Sequence, residues 1–189
     1  TTTMPPVLTA ATGIDALCHS FEAFVSSVAS PMTDMAALNA VELISKNLVN
    51  AYQFPKQLYF RDKMMTASLM AGVAFSNASL GMVHAMSHSL GCDMGFRHGE
   101  CNALLLEKVI EFNYSAASEK YDQLAKVLHL DLNGQSSYGR GALIADYIRS
   151  LVMNLGIHDR LSGLDICVAD IPALSAFAYS DPCLSTNPQ

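Results

Sequence analysis

The sequence predicts an all-α fold of seven or eight helices. Apolar residues recur at helical spacing along most of the chain, no run of β-branched residues suggests a strand, and prolines and glycines punctuate the periodic stretches. No GxGxxG and no GxxxxGK[ST] occurs, so no nucleotide-binding motif is expected within these residues.

After an extended start at Met4, Pro5 and Pro6, Ile14, Leu17, Cys18, Phe21, Phe24, Val25 and Val28 give a first helix over 9–30, closed by Pro31. Thr33 is the expected N-cap of a second helix, with Asp34 in its first turn and Leu38, Val41, Ile44 and Leu48 on its buried stripe. A third helix is expected over 56–78, a core helix whose Ala67, Ala71, Gly72 and Ala74 let a neighbour approach. The fourth covers 80–92 and breaks in the Gly91 to Gly95 region, and the fifth starts near His98 and stops at Asn113. Helices over 117–130, 140–154 (ended by Gly156) and 170–180 (with Pro172 early) complete the set. The domain reading is one helical domain over 1–189, with a histidine-rich half at 1–115 and a supporting half at 116–189.

With 189 residues, 51% hydrophobic, the chain can bury one sizeable core or two small subdomains, and disorder is excluded. Only 15% of residues are charged and the net charge is -6, which leaves no basic footprint for nucleic acid or an anionic membrane. No stretch reaches the roughly 18 to 20 apolar residues of a membrane span, and no signal peptide is visible. Cys18, Cys92, Cys101, Cys167 and Cys183 lack CxxC spacing, so a cytoplasmic protein with cysteines as small packing residues is expected. The chain opens at Thr1 without an initiator methionine and is expected to be a piece of something longer.

The chemistry is concentrated in two stretches. In LGMVHAMSHSLGCDMGFRHGECN, His84 and His88 stand four apart, which stacks their rings on one helix face, and His98 follows beyond a glycine. Such spacing suits a metal site and equally suits hydrogen-bonded core histidines. In ATGIDALCHSFE, Asp15 and His19 repeat the spacing among Ile14, Leu17, Phe21 and Phe24. Holding a carboxylate and an imidazole at an apolar interior costs several kcal/mol unless they are paired or bound to a cation. A plain Asp to His hydrogen bond between helices would meet that need, as would a metal. Together the stretches offer an Asp/His₃ set suited to a divalent transition ion, with one or both of His84 and His88 taking part. Gly81 and Gly99 could admit backbone or ligand close to the histidines, or simply punctuate helix ends. Asn77 and Asn102 are candidate hydrogen-bonding groups behind the site, while His129 and His158 receive no role.

MPPVLTAATGIDALCHSFEAFVS resembles the first signature of the iron-containing (group III) alcohol dehydrogenases, and AGVAFSNASLGMVHAMSHSLG followed by HGECNALLL resembles the second. DPCLSTNP is similar to the family's C-terminal ending, so the resemblance covers essentially the whole chain. It implies that Asp15, His19, His84 and His98 ligate a divalent metal and that His88 is a non-ligand catalytic histidine beside the nicotinamide and substrate. Fe²⁺ is the family's metal, and Zn²⁺, Ni²⁺ and Co²⁺ also suit such donors. The resemblance further implies hydride transfer between NAD or NADP and a small alcohol, diol, aldehyde or ketone. An N-terminal nucleotide-binding domain that this chain lacks is implied too, as is a homo-oligomer. The sequence departs from the family where SLGCDMGFR leads into His98, with Arg97 in place of the usual proline. Two other readings are a dehydroquinate-synthase-like lyase domain, against which Asp15 with His19 argues, and a non-catalytic helical metal-binding or interaction module.

Overall fold

A computed structural model describes residues 1–94, 97–157 and 166–189. It contains α1 (Pro6–Val25), α2 (Pro31–Gln53), α3 (Leu58–Ala78), α4 (Met82–Met94), α5 (His98–Asn113), α6 (Ser118–Val127), α7 (Ser137–Asn154) and α8 (Ile171–Ser180). Single 3₁₀ turns follow α5 at Tyr114–Ala116 and α8 at Pro182–Thr186. No strand occurs among the described residues. His158 and part of the break after Gly91 lie outside them.

The centre is α1, whose Ile14, Leu17, Phe21 and Phe24 are fully buried. Each such side chain stabilises the fold by about 1.5–3 kcal/mol. Helices α2, α3 and α5 pack around α1, α7 backs α5, and α8 covers α4. Arg61 of α3 is buried and donates to Thr9 Oγ1 at 2.6 Å, Pro55 O at 2.9 Å and Met4 O at 3.3 Å, which fixes α3 against the start of α1.

Several helix boundaries differ from the sequence expectation for identifiable reasons. Pro31 opens α2 rather than merely closing α1, because a proline at the first helical position lacks only an N–H that would have had no partner. The N-cap is Ser30 rather than Thr33. Ser30 Oγ accepts from Thr33 N at 3.3 Å, and Thr33 Oγ1 accepts from Ser30 N at 2.8 Å. Helix α7 begins earlier than expected, where Ser136 Oγ accepts from Gly139 N.

Helix α3, expected to be a core helix rather than a surface one, is buried on one side only. Its alanine stripe Ala67, Ala71, Ala74, Ala78 is buried, but Leu58, Tyr59, Met65, Leu69 and Val73 are exposed on the opposite side, and nothing lies within 4 Å of where a Gly72 Cβ would be. Cys18 and Cys101 are buried as expected, whereas Cys167 is exposed and Cys183 half-buried. No single helix among the described residues is long and apolar enough to cross a membrane. Helix α3 and Met82–Gly91 reach that measure only as a pair bent by 101°.

That bend aims α4 at α1. Ser79, at φ 62° and ψ -170°, ends α3 in a conformation that a non-glycine residue adopts at a cost of about 1–3 kcal/mol. The turn is held from both sides. Ser26 Oγ donates to Ala78 O at 2.6 Å, Thr186 Oγ1 donates to Leu80 O at 2.6 Å, and Met82 N donates to Asn187 Oδ1 at 3.1 Å.

Candidate metal centre

Three helix segments bring the chemistry together. Asp15, His19 and Glu22 stand at intervals of four and three on α1, His84 and His88 one turn apart on α4, and His98 and Asn102 on the first turns of α5. The three imidazole nitrogens His19 Nε2, His84 Nε2 and His98 Nε2 lie 3.5, 3.5 and 3.4 Å from one oxygen, Asp15 Oδ1. The rings of His19 and His84 stack at 4.7 Å, and those of His84 and His98 approach to 5.2 Å.

Two of the three histidine orientations follow from what the ring does at its other nitrogen. His84 is 1% exposed, and its Nδ1 bonds to Oε2 of Glu22, a carboxylate itself 4% exposed. The second Glu22 oxygen accepts from Val83 N at 2.6 Å. A carboxylate can only accept, so His84 carries its proton on Nδ1 and turns Nε2 toward Asp15. Ser87 Oγ donates to His98 O at 3.3 Å and stands 3.1 Å from His98 Nδ1, which points the His98 Nε2 lone pair inward in the same way. His19 is held by Phe75, whose ring lies 4.5 Å from its own.

The charged groups of the cluster respond to different surroundings. Burial works against the ionised form of Asp15, yet hydrogen bonds to His84 and His98 and the charge of His19 hold its carboxyl well below the usual range. Burial likewise disfavours an imidazolium at His84, but bonds to Asp15 and Glu22 outweigh it and push its pKa up to about 9. Burial dominates at His19, whose pKa falls to about 4.

Asn102 Nδ2 donates to Asp15 Oδ1 at 2.6 Å and lies 3.3 Å from His84 Nε2 and 3.2 Å from His98 Nε2, so two amide hydrogens face three acceptor-capable atoms. Donors 2.0–2.2 Å from a tetrahedral ion stand roughly 3.4 Å apart. Each imidazole stands at that spacing from Asp15 Oδ1, and the donor atoms of Asp15, His19 and His84 all lie within 4.8 Å of one another, with His98 outside that group; the N/O donor chemistry and the excess of lone pairs fit a divalent transition ion.

His88 does not join this set. Its Nδ1 is 2.8 Å from Asp181 Oδ2, while its ring stacks on His98 at 5.4 Å and lies 6.0 Å from His84. Asn77 is exposed and bonds back to Val73 O on its own helix, so it has no place at the site. His129 is exposed. An apolar cavity of about 480 Å³ on the far side of α4, lined by Met82, Met86, Leu90, Leu105 and Leu174, includes none of the five candidate residues.

Glu22, Ser87 and Asp181 are the contributors that sequence reasoning did not single out. Glu22 carried a usable signal, since it continues the Asp15/His19 face one turn further along α1. Asp181 opens the DPCLSTNP ending that resembles the family's, but no spacing pairs it with His88, 93 residues away.

Both glycines flanking the histidines are mechanical. A Cβ on Gly99 would meet Ala11 O at 2.4 Å, and one on Gly81 would meet Asn187 Oδ1 at 2.9 Å and Glu22 Oε1 at 3.0 Å. Gly99→Ala is therefore expected to push α5 off α1. The result should be a loss of about 1–3 kcal/mol in chemical denaturation and weaker metal retention, because His98 moves with its helix. Unchanged stability and retention would show that the close approach is unimportant.

Comparison with known proteins gives this geometry a context. Residues 9–189 match the family model described as Fe-containing alcohol dehydrogenase family, C-terminal. The 1,3-propanediol dehydrogenase of Klebsiella pneumoniae is 40% identical over 185 residues, covering 98% of this chain and 48% of that protein. Among solved structures, a 1,3-propanediol oxidoreductase superposes with a TM-score of 0.96 at 39% identity, covering 100% of this chain and 50% of that one. The sulfoacetaldehyde reductase of Bifidobacterium kashiwanohense, in complex with NAD+, does so with 0.88 at 30% identity, covering 100% and 48%. The chain thus spans about half the length of the relatives it matches. With its helical architecture and its two histidine-bearing stretches, it belongs to the Fe-containing alcohol dehydrogenase family and corresponds to that family's C-terminal domain.

Proposed function

We propose that this chain is the metal-binding half of an NAD(P)-dependent alcohol dehydrogenase that interconverts a small alcohol or diol and its carbonyl form. In this reading Asp15, His19, His84 and His98 hold a divalent metal, and a nucleotide-binding domain of the full-length protein supplies the nicotinamide. The observation that carries it is the convergence of three imidazole Nε2 atoms on one carboxylate oxygen at 3.4–3.5 Å. Iron is the first choice because the family takes its name from it, and Zn²⁺ meets the same donor requirements. The K. pneumoniae relative supports a short diol such as 1,3-propanediol as the first substrate to try.

When bound, the ion supplies Lewis acidity that lowers the pKa of an alcohol hydroxyl. The chain's own residues do the rest. Glu22 and Ser87 keep two imidazoles turned inward, Phe75 packs against the third, and His88 offers a half-exposed imidazole beside the cluster. The full-length protein is expected to oxidise 1,3-propanediol with NAD⁺ or NADP⁺, to lose that activity on chelation, and to regain it with Fe²⁺ or Zn²⁺. The regain should track metal content by elemental analysis. Full activity in metal-free protein would refute the proposal.

A further inference from the structure

His88 lies next to the metal cluster without belonging to it, and what it bonds decides what it can do. Its Nδ1 stands 2.8 Å from Asp181 Oδ2. Asp181 Oδ1 accepts from Cys183 N at 2.8 Å, so each carboxylate oxygen has its own partner. The carboxylate is 10% exposed, and the imidazole it faces is 39% exposed. His88 Nε2 has no hydrogen-bond partner among the described residues.

Asp181 is also held at a fixed distance from α4. It caps the 3₁₀ turn Pro182–Thr186, and that turn is bonded to the start of α4 through Thr186 Oγ1 to Leu80 O and, one residue on, through Met82 N to Asn187 Oδ1. Ser27 N donates to Thr186 O at 3.0 Å and ties the same turn to the end of α1. The carboxylate and the helix carrying its histidine partner therefore form one rigid unit.

We propose that Asp181 is a positioning residue for His88: it holds the imidazole with Nδ1 protonated, leaving the Nε2 lone pair as an acceptor for the substrate's hydroxyl proton. A neutral imidazole has one donor and one acceptor, and a carboxylate at Nδ1 commits the donor. In the step this permits, the hydroxyl proton passes to Nε2 and the O–H electron pair stays on the substrate oxygen. The imidazolium so formed keeps its Nδ1–H against the Asp181 carboxylate, which offsets the new charge, and then releases the Nε2 proton to solvent. Burial works against an ionised Asp181, but the Cys183 and His88 bonds hold its carboxyl below the usual range, as an acceptor requires.

This inference rests on the dehydrogenase reading, and one of its two tests is independent of it. The first uses the full-length metal-loaded enzyme with Asp181→Asn, Asp181→Glu, His88→Ala and the His88→Ala/Asp181→Asn double variant. The isosteric amide has one acceptor oxygen and cannot serve both Cys183 N and His88. Asp181→Asn is expected to lower kcat about 10- to 100-fold with metal content and coenzyme KM unchanged, Asp181→Glu to restore part of it, and the double variant to be no slower than His88→Ala alone. A kcat within twofold of the parent, metal loss in step with kcat, or fully additive losses would overturn the proposal. The second test reads the His88 ring nitrogens by ¹⁵N NMR on Zn²⁺-loaded protein. The Nδ1–H form is expected to predominate in the parent and to give way to a mixture in Asp181→Asn; the same tautomer in both would overturn it. If the parent enzyme turns over no alcohol at all, the dehydrogenase reading fails while the tautomer measurement still decides the role of Asp181.

Discussion

His84→Ala is expected to lower metal affinity by more than about 100-fold, because even groups that only support a ligand are worth 10- to 100-fold, and this imidazole is itself one of the inward donors. Its loss also damages the fold. Glu22 is 4% exposed and would keep only its bond from Val83 N, while Asp15 would lose one of its neutral or cationic neighbours. Leaving one member of a buried pair without its partner costs about 3–5 kcal/mol. Elemental analysis after exhaustive dialysis and equilibrium denaturation read the two effects separately. His88→Ala, whose ring is bonded to Asp181 and not to Asp15, should retain its metal. Full metal occupancy in His84→Ala, or equal loss in both variants, would end the assignment of His84 as a ligand.

The second large effect comes from a residue that need never touch the metal. Glu22→Gln keeps an oxygen for Val83 N but turns an NH₂ group toward His84 Nδ1–H. Two donors then face each other, and the ring relieves the conflict by moving its proton to Nε2, where the lone pair is needed. Metal affinity, measured by competition with a chromophoric chelator, should fall about 10- to 100-fold, with a stability loss of about 1–3 kcal/mol. Glu22→Ala leaves both the Val83 amide and the His84 ring without partners and should cost more in stability. Parent-like affinity in the Gln variant would mean that the His84 tautomer is set by something other than Glu22.

These two predictions also mark how far the sequence could be read. Asp15 with His19 and His84 with His88 are neighbours along a helix, so four-residue spacing was enough to bring them to notice. His98 was visible because it opens a helix after a glycine-containing break. The resemblance implied that His84 and His88 differ; spacing alone could not, because the difference lies in what each Nδ1 meets, Glu22 in one case and Asp181 in the other. Glu22 shares a helix face with Asp15, but a carboxylate one turn beyond a histidine looks like a solvated residue until α4 is laid across it. At the Pro31 boundary the local rule pointed both ways, since proline ends one helix and suits the first position of the next. The exposed side of α3 escaped notice because hydrophobicity reports what a residue prefers, and Leu58, Leu69 and Val73 stand outside all the same.

The clamp of the Pro182–Thr186 turn onto the start of α4 has a consequence for how the protein folds. Packing among α1, α2 and α3 joins consecutive helices, which is the kind of contact that forms early. By contrast Thr186 reaches back 106 residues to Leu80, Asp181 93 residues to His88, and Asn102 87 residues to Asp15. Contacts of such separation wait on loop closure and close late. The donor cluster, which joins α1 to α4 and α5, and the His88–Asp181 pair therefore both belong to the late stage of folding, after α1, α2 and α3 have packed. A chain folded only as far as α1, α2 and α3 would present Asp15 and His19 without His84 and His98, so the docking of α4 and α5 completes the donor set.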